Sequence, residues 1–221
     1  MGSLAKELDM FAEALIDRTC MSNASILRKI AAAAEAREAD FQPVRAGDSA
    51  PDFTLPDTAG HRVTLSERLA HGPVVLTFIQ GGWNPFCEIT LRAYEAIRPA
   101  LRRAGADVLA ISPQAKEENR MAVESNWLSL PLLSDFGSAV ARTYGLMRPL
   151  DEDKRAMMIR LGHDVPRLNG TVEWELPLTA TYVIAPDSRV VRAHLDPRVM
   201  RRMEPADALA AVRALKVTAS G

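Results

Sequence analysis

The chain has 221 residues, 48% of them hydrophobic and 25% charged, with a formal net charge of −1. That length fills one core with an extension rather than two full domains, and a near-neutral chain offers no broad electrostatic footprint for nucleic acid or an anionic membrane surface. No run approaches ~18 uninterrupted apolar residues, and two cysteines with four histidines in no ligand spacing provide neither a disulfide framework nor a metal site, so no membrane span, metal or cofactor is expected.

The first 18 residues interleave Lys6, Glu7, Asp9, Glu13 and Asp17 with apolar ones, so the apolar core of a signal peptide is missing and a cytoplasmic protein is expected. Leu4, Leu8, Phe11 and Leu15 recur at helical spacing, and Ser22 or Asn23 can cap a second helix running to about residue 37. The segment 1–45 therefore reads as a helical hairpin, carrying Cys20, that packs on the main domain or on a second subunit. After a linker, residues 46–65 read as two short extended pieces around Ala59-Gly60, and Ser66 can cap a helix over 67–70.

Val74 to Ile79 is an apolar, β-branched run of strand length; Gln80-Gly81-Gly82 breaks it, and Asn84-Pro85 opens a helix whose polar face would hold Arg92, Arg98, Arg102 and Arg103. A strand at 107–112, a helix at 116–127, an extended piece at 130–133 and a helix at 136–144 continue the alternation. A helical insert at 151–161 and an irregular stretch at 162–174 follow. A hairpin with strands at 180–185 and 190–195 and a last helix from Glu204-Pro205 to about residue 216 complete the chain. Strands alternating with helices imply a mainly parallel central sheet covered on both faces.

Asn84 as N-cap and Pro85 as first helical residue put Cys87 in the first turn, where backbone N–H groups lack intrahelical partners and the helix dipole favours an anion. A cysteine so placed ionises more easily than a free thiol, which makes Cys87 the candidate nucleophile.

These pieces together resemble the peroxiredoxin family, in its alkyl hydroperoxide reductase/thiol-specific antioxidant branch. The resemblance rests on Gly47-Asp-Ser-Ala-Pro-Asp-Phe-Thr-Leu-Pro, Gly72-Pro-Val-Val-Leu-Thr-Phe, Gly81-Gly-Trp-Asn-Pro-Phe-Cys87, Leu132-Leu-Ser-Asp135, Val140-Ala-Arg-Thr-Tyr-Gly-Leu146 and Glu175-Leu-Pro-Leu-Thr-Ala-Thr-Tyr-Val-Ile184. It implies an α/β, thioredoxin-like fold of peroxiredoxin type over residues 46–221, with a central mixed sheet, helices on both faces and the N-terminal helical extension. It also implies a thiol-dependent peroxidase in which Cys87 attacks a hydroperoxide, becomes a sulfenic acid, and is restored by an external thiol such as thioredoxin, glutathione or another small thiol. A homodimer, with no nucleic-acid or membrane partner, is expected.

Four positions depart from the family pattern. Where it has Pro and Thr, seven and three residues before the cysteine, this chain has Gln80 and Asn84. Asn84 also stands where the nearest branch commonly has a second cysteine, which excludes disulfide exchange within this motif. Thr90 replaces an acidic residue and Thr179 an arginine. Asn84 reads as a helix cap or as an amide donor to a bound peroxide, Thr179 as a neutral wall or a weak donor to the thiolate, and Arg142 as a solvated side chain or a cation that lowers the Cys87 pKa. Trp83, Pro85 and Phe86 form an apolar substrate mouth or plain packing, and Cys20 is a buried thiol or a resolving cysteine. The cluster Arg198, Arg201 and Arg202 reads as a solvated face, and His163 and His194 as structural or surface residues. Two further functions stay open: a diverged binding or scaffold module, and an enzyme that turns the same cysteine on a non-peroxide substrate.

Overall fold

A computed structural model describes residues 3–18, 42–198 and 200–219. The strand-length run Val74–Phe78, apolar except for Thr77, forms β3, the middle strand of a five-stranded sheet in the order β5 (Leu132–Ser134), β4 (Asp107–Ser112), β3, β8 (Ala180–Ile184), β9 (Val190–Leu195). It pairs parallel with β4, which pairs parallel with β5. On its other side it pairs antiparallel with β8, which joins β9 in the expected hairpin. The sheet is therefore mixed, and both faces are covered, as a strand without polar alternation requires.

Alternate β3 residues enter two cores. Val74, Leu76 and Phe78 join Leu109, Ile111, Tyr182 and Tyr144 on one face, beneath α2 (Leu65–Leu69), β1 (Thr54–Pro56), β2 (Arg62–Thr64) and α5 (Ala139–Thr143). Val75 and Ile79 join Cys87, Leu91, Tyr94, Leu209 and Val212 on the other, beneath α3 (Pro85–Arg103) and α8 (Pro205–Ala219), with Ala122 of α4 (Lys116–Ser125) at its edge.

The N-terminal helix α1 (Leu4–Arg18) packs on this domain, its Leu4, Leu8 and Ala12 against Phe86 and Ile89 of α3. The second helix of the expected hairpin and Cys20 lie outside the described residues. Several expectations are corrected. Ser66 does not cap α2: its N–H and hydroxyl bond Asp52 at 2.9 and 2.7 Å, and the helix begins at Leu65, two residues before the expected start. The stretch 162–174 is only partly irregular. It holds α7 (Val165–Asn169) after the insert helix α6 (Glu152–Arg160), and it leads into β7 (Glu175–Pro177), which pairs with β6 (Met147–Pro149) in a ribbon the sequence reading did not separate. Arg98 is buried rather than on the solvated face of α3, with Glu95 at 3.8 Å as its ion-pair partner.

Candidate active site

The site is built where β3 turns into α3. Gly81 lies in the left-handed region at φ +142, and a Cβ there would come within 2.5 Å of Trp83 Nε1 and 2.7 Å of Gln114 Oε1, so only glycine fits. Gly82 N–H donates to Gln114 Oε1 at 2.7 Å, which ties the loop to the segment after β4.

Asn84 caps α3 as expected, its Oδ1 accepting from Phe86 N–H at 3.0 Å. The Asn84 carbonyl accepts from the N–H groups of Cys87 at 2.9 Å and Glu88 at 3.1 Å, and Pro85 has none to give. The first-turn donors expected to hold the thiolate are thus already engaged. Asn84 Nδ2 donates to Gln80 Oε1 at 2.9 Å, and Gln80 Nε2 to the Pro177 carbonyl at 3.4 Å, so the amide nitrogen of Asn84 has a partner as well as its oxygen.

Cys87 is 0% exposed and sits in apolar packing, and that burial pushes its thiol above the ordinary range. Three groups oppose the shift: the Arg202 guanidinium and the backbone N–H groups of Gln80 and Gly81, the last two approaching from the strand end rather than from the helix. A proline at position 80 would have no such N–H to give.

Arg202 corrects the reading of its cluster as a solvated face. It is 8% exposed, on the segment between β9 and α8, and its Nη1 donates to the carbonyls of Arg201 at 2.9 Å and Arg198 at 3.4 Å. Its Nε and Nη2 complete no hydrogen bond, so what reaches the neutral Cys87 sulfur is close-range charge rather than a formed N–H···S bond. Burial weakens the guanidinium's hold on its proton, while Cys87 and Asp196 strengthen it.

The other candidates are dispersed. Arg142, on α5, makes a two-pronged ion pair with Glu175, Nη1 to Oε2 at 3.2 Å and Nη2 to Oε1, and is not among the main influences on Cys87. Thr179 is buried just before β8, and Thr90 is fully buried with its hydroxyl on the Phe86 carbonyl at 2.8 Å. Trp83 and Phe86 point to different clusters rather than sharing a mouth over Cys87. Trp83 stacks on His163 with ring centroids 4.6 Å apart, and Phe86 meets Phe11 of α1 edge-to-face at 5.2 Å, while Pro85 is exposed.

A cavity of ≈ 310 Å³ lies beside the loop, lined by Gly82, Trp83, Gln114, Met121 and His163 among others. A groove of ≈ 340 Å³ lies at the far end of the strands, by Arg68, His71 and Arg102, and Cys87 lines neither. Among the described residues no group of His, Cys, Asp and Glu could hold a metal ion, and no helix is long and apolar enough to cross a membrane.

The AhpC/TSA family model matches residues 46–193, about two thirds of the chain. The chain belongs to the AhpC/TSA family. Within this family it is similar to peroxiredoxin Bcp of Escherichia coli K12, 33% identical over 106 residues that cover 48% of this chain and 67% of that protein. It is also similar to the chloroplastic peroxiredoxin Q of Sedum lineare, 32% identical over 106 residues, 48% of this chain and 56% of that one. Among solved structures, the peroxidoxin BcpB of Mycobacterium tuberculosis superposes with a TM-score of 0.61 at 25% identity, over 78% of this chain and 98% of that one. The peroxiredoxin-like, thioredoxin-type fold expected from the sequence is thereby shown. In this AhpC/TSA protein the arginine beside the cysteine lies beyond the matched residues, which is why the motif blocks did not point to it.

Proposed function

We propose that this protein is a thiol-dependent peroxidase of the one-cysteine type, with Cys87 as its nucleophile. The observation that carries the reading is a buried cysteine at the start of α3 with the buried Arg202 guanidinium beside it, whose Nε and Nη2 have no other partner among the described residues. When Cys87 gives up its proton, the open Nε and Nη2 donors of Arg202 have an anion to meet, and the same donors stabilise the charge that builds on the departing oxygen. The thiolate attacks the distal oxygen of a hydroperoxide and the O–O bond breaks. The sulfur is oxidised to a sulfenic acid, and the leaving alkoxide or hydroxide takes a proton to become an alcohol or water. One molecule of an external thiol condenses with the sulfenic acid, releasing water, and a second displaces it to restore Cys87. Thioredoxin, glutathione or another small thiol would serve.

A second reading has its own observation. Full burial holds the Cys87 thiol above its ordinary range, which suits a peroxiredoxin-fold binding module whose cysteine is inert. Dimedone trapping separates the two in a Cys20→Ser background. Stoichiometric hydrogen peroxide should label Cys87, and Cys87→Ser should lose both the label and peroxide consumption with any thiol donor. A Cys87 left unlabelled at tenfold excess of hydrogen peroxide and of an organic hydroperoxide would leave the binding module standing.

A further inference from the structure

Something must move before any reagent reaches Cys87, because the sulfur is closed off from solvent. The segment 200–204 lies between that sulfur and α1. Arg202 stands beside Cys87, and Met203 is packed in the same core as Cys87. Met200, at the other end of the segment, packs instead with α1 and Phe86.

The segment is fastened to α1 in two further ways. Glu204 receives three hydrogen bonds from the start of that helix, from Ser3 Oγ at 2.6 Å, Leu4 N–H at 3.0 Å and Ala5 N–H at 2.7 Å, and so accepts, from a distant part of the chain, first-turn N–H groups that have no partner within the helix. Arg201 Nη1 faces Asp9 Oδ2 at 3.8 Å, a weaker, exposed contact. On the inner side, the Met203 carbonyl accepts from Tyr94 O–H at 3.1 Å, and that single bond is independent of α1.

We propose that α1 is a lid that clamps the Arg202-bearing segment over Cys87, with Glu204 as its latch. When α1 lifts, the segment loses its outer support at Met200, Arg201 and Glu204 together and keeps its inner contacts, the Tyr94 bond, the Met203 side chain and the Arg202 bonds to the Arg198 and Arg201 carbonyls, so it can swing on these and open a path to the sulfur. Glu204 is a positioning residue here: it touches neither the sulfur nor a substrate, and acts through the segment it belongs to. Local opening of this kind draws on contacts that can be lost without unfolding the sheet. The inference rests on Cys87 being the reacting atom but not on what that atom reacts with.

The test is the rate at which iodoacetamide alkylates Cys87 in the full chain, read by mass spectrometry in a Cys20→Ser background. Glu204→Ala removes the latch, Glu204→Gln keeps an acceptor without its charge, and Leu8→Ala thins the face of α1 that meets α3. Leu69→Ala is the control, since it weakens the core on the opposite face of the sheet. Alkylation should rise roughly tenfold in Glu204→Ala and Leu8→Ala and by less in Glu204→Gln, while Leu69→Ala stays near wild type. Amide exchange should quicken over residues 4–15 with β3 protection unchanged. A rise that is equal in Leu69→Ala, or no rise in the latch variants, overturns the lid. Alkylation reads access and ionisation but involves no peroxide chemistry, so a failed dimedone test with a positive alkylation result rejects the peroxidase and leaves the lid in place.

Discussion

Asn84 Nδ2 donates to Gln80 Oε1 across 2.9 Å, so two of the positions that set this chain apart from the peroxiredoxin pattern are in direct contact. Each supplies what the other needs: Gln80 occupies the Asn84 amide nitrogen, and Asn84 Oδ1 remains aimed at Phe86 N–H as the helix cap. They should therefore behave as a pair in stability measurements. Asn84→Ala should cost about 1–2 kcal/mol, the worth of a cap together with its buried partner. Gln80→Ala should cost less, and the double variant should fall short of the sum by about 0.5–1 kcal/mol. Urea titrations of the four proteins give the coupling, and simple additivity would mean the contact contributes nothing.

Arg202 should set the ionisation of Cys87. Its charge opposes the effect of burial, so Arg202→Met must move the thiol still higher. The midpoint of the alkylation rate against pH should shift to alkaline values, and the thiolate fraction at neutral pH should fall. Arg202→Lys, which keeps the charge but not the planar fork, should recover part of the shift. Because methionine fills apolar surroundings without burying a charge, the variant can be as stable as wild type, and the test then separates ionisation from folding. A midpoint unmoved in Arg202→Met would remove Arg202 from the site.

The architecture was legible because hydrophobic pattern and motif order point the same way: the largely apolar run at β3 demands two covered faces, and it has them. The Asn84 cap was legible for the same local reason. The source of the donors at Cys87 was not. A helix start offers free N–H groups in general, but here the Asn84 carbonyl and side chain engage those of residues 86–88, and what opposes the burial of the thiol is Arg202 and the backbone of Gln80 and Gly81 in the loop after β3. Arg202 was hidden by its neighbours. Arg198 and Arg201 are exposed, as such a basic run suggests, and nothing local marks which of the three turns inward. The absence of an arginine at 179 was the one available hint that a cation would have to arrive from elsewhere.

Stability should decline in alkali more steeply than surface groups alone would cause. Burial raises the pKa of Cys87 and of Tyr94, Tyr144 and Tyr182 in the folded protein. Each contributes stability that is complete below its unfolded value, ~8.5 for cysteine and ~10 for tyrosine, and that drains away as pH rises toward the folded value, because the unfolded chain then releases the proton first. Unfolding free energy should hold level to about pH 8 and then fall by up to ~1.4 kcal/mol per pH unit for each group engaged. Cys87→Ala should flatten the first part of the descent, between about pH 8.5 and 10, and leave the tyrosine part intact. An identical slope in Cys87→Ala over that window would show that the thiol ionises as easily folded as unfolded.

Arg142 provides the converse test. Its guanidinium is engaged by both oxygens of Glu175, whose side chain is largely buried where β7 pairs with β6, while Arg142 itself is about half exposed. Removing Arg142 leaves a buried carboxylate without its cation, a cost of about 1–2 kcal/mol once the exposure of the arginine is allowed for. The same change should leave Cys87 nearly alone, since Arg142 is not among the main influences on that sulfur. Arg142→Ala should therefore lower the urea midpoint while the pH profile of Cys87 alkylation stays on the wild-type curve, the reverse of the pattern for Arg202→Met. Arg142→Ala in combination with Glu175→Gln should recover part of the lost stability, because the neutral amide is less costly to leave unpaired than the carboxylate. An alkaline shift of the Cys87 profile in Arg142→Ala would return this arginine to the site and make the two cations joint contributors to the thiolate.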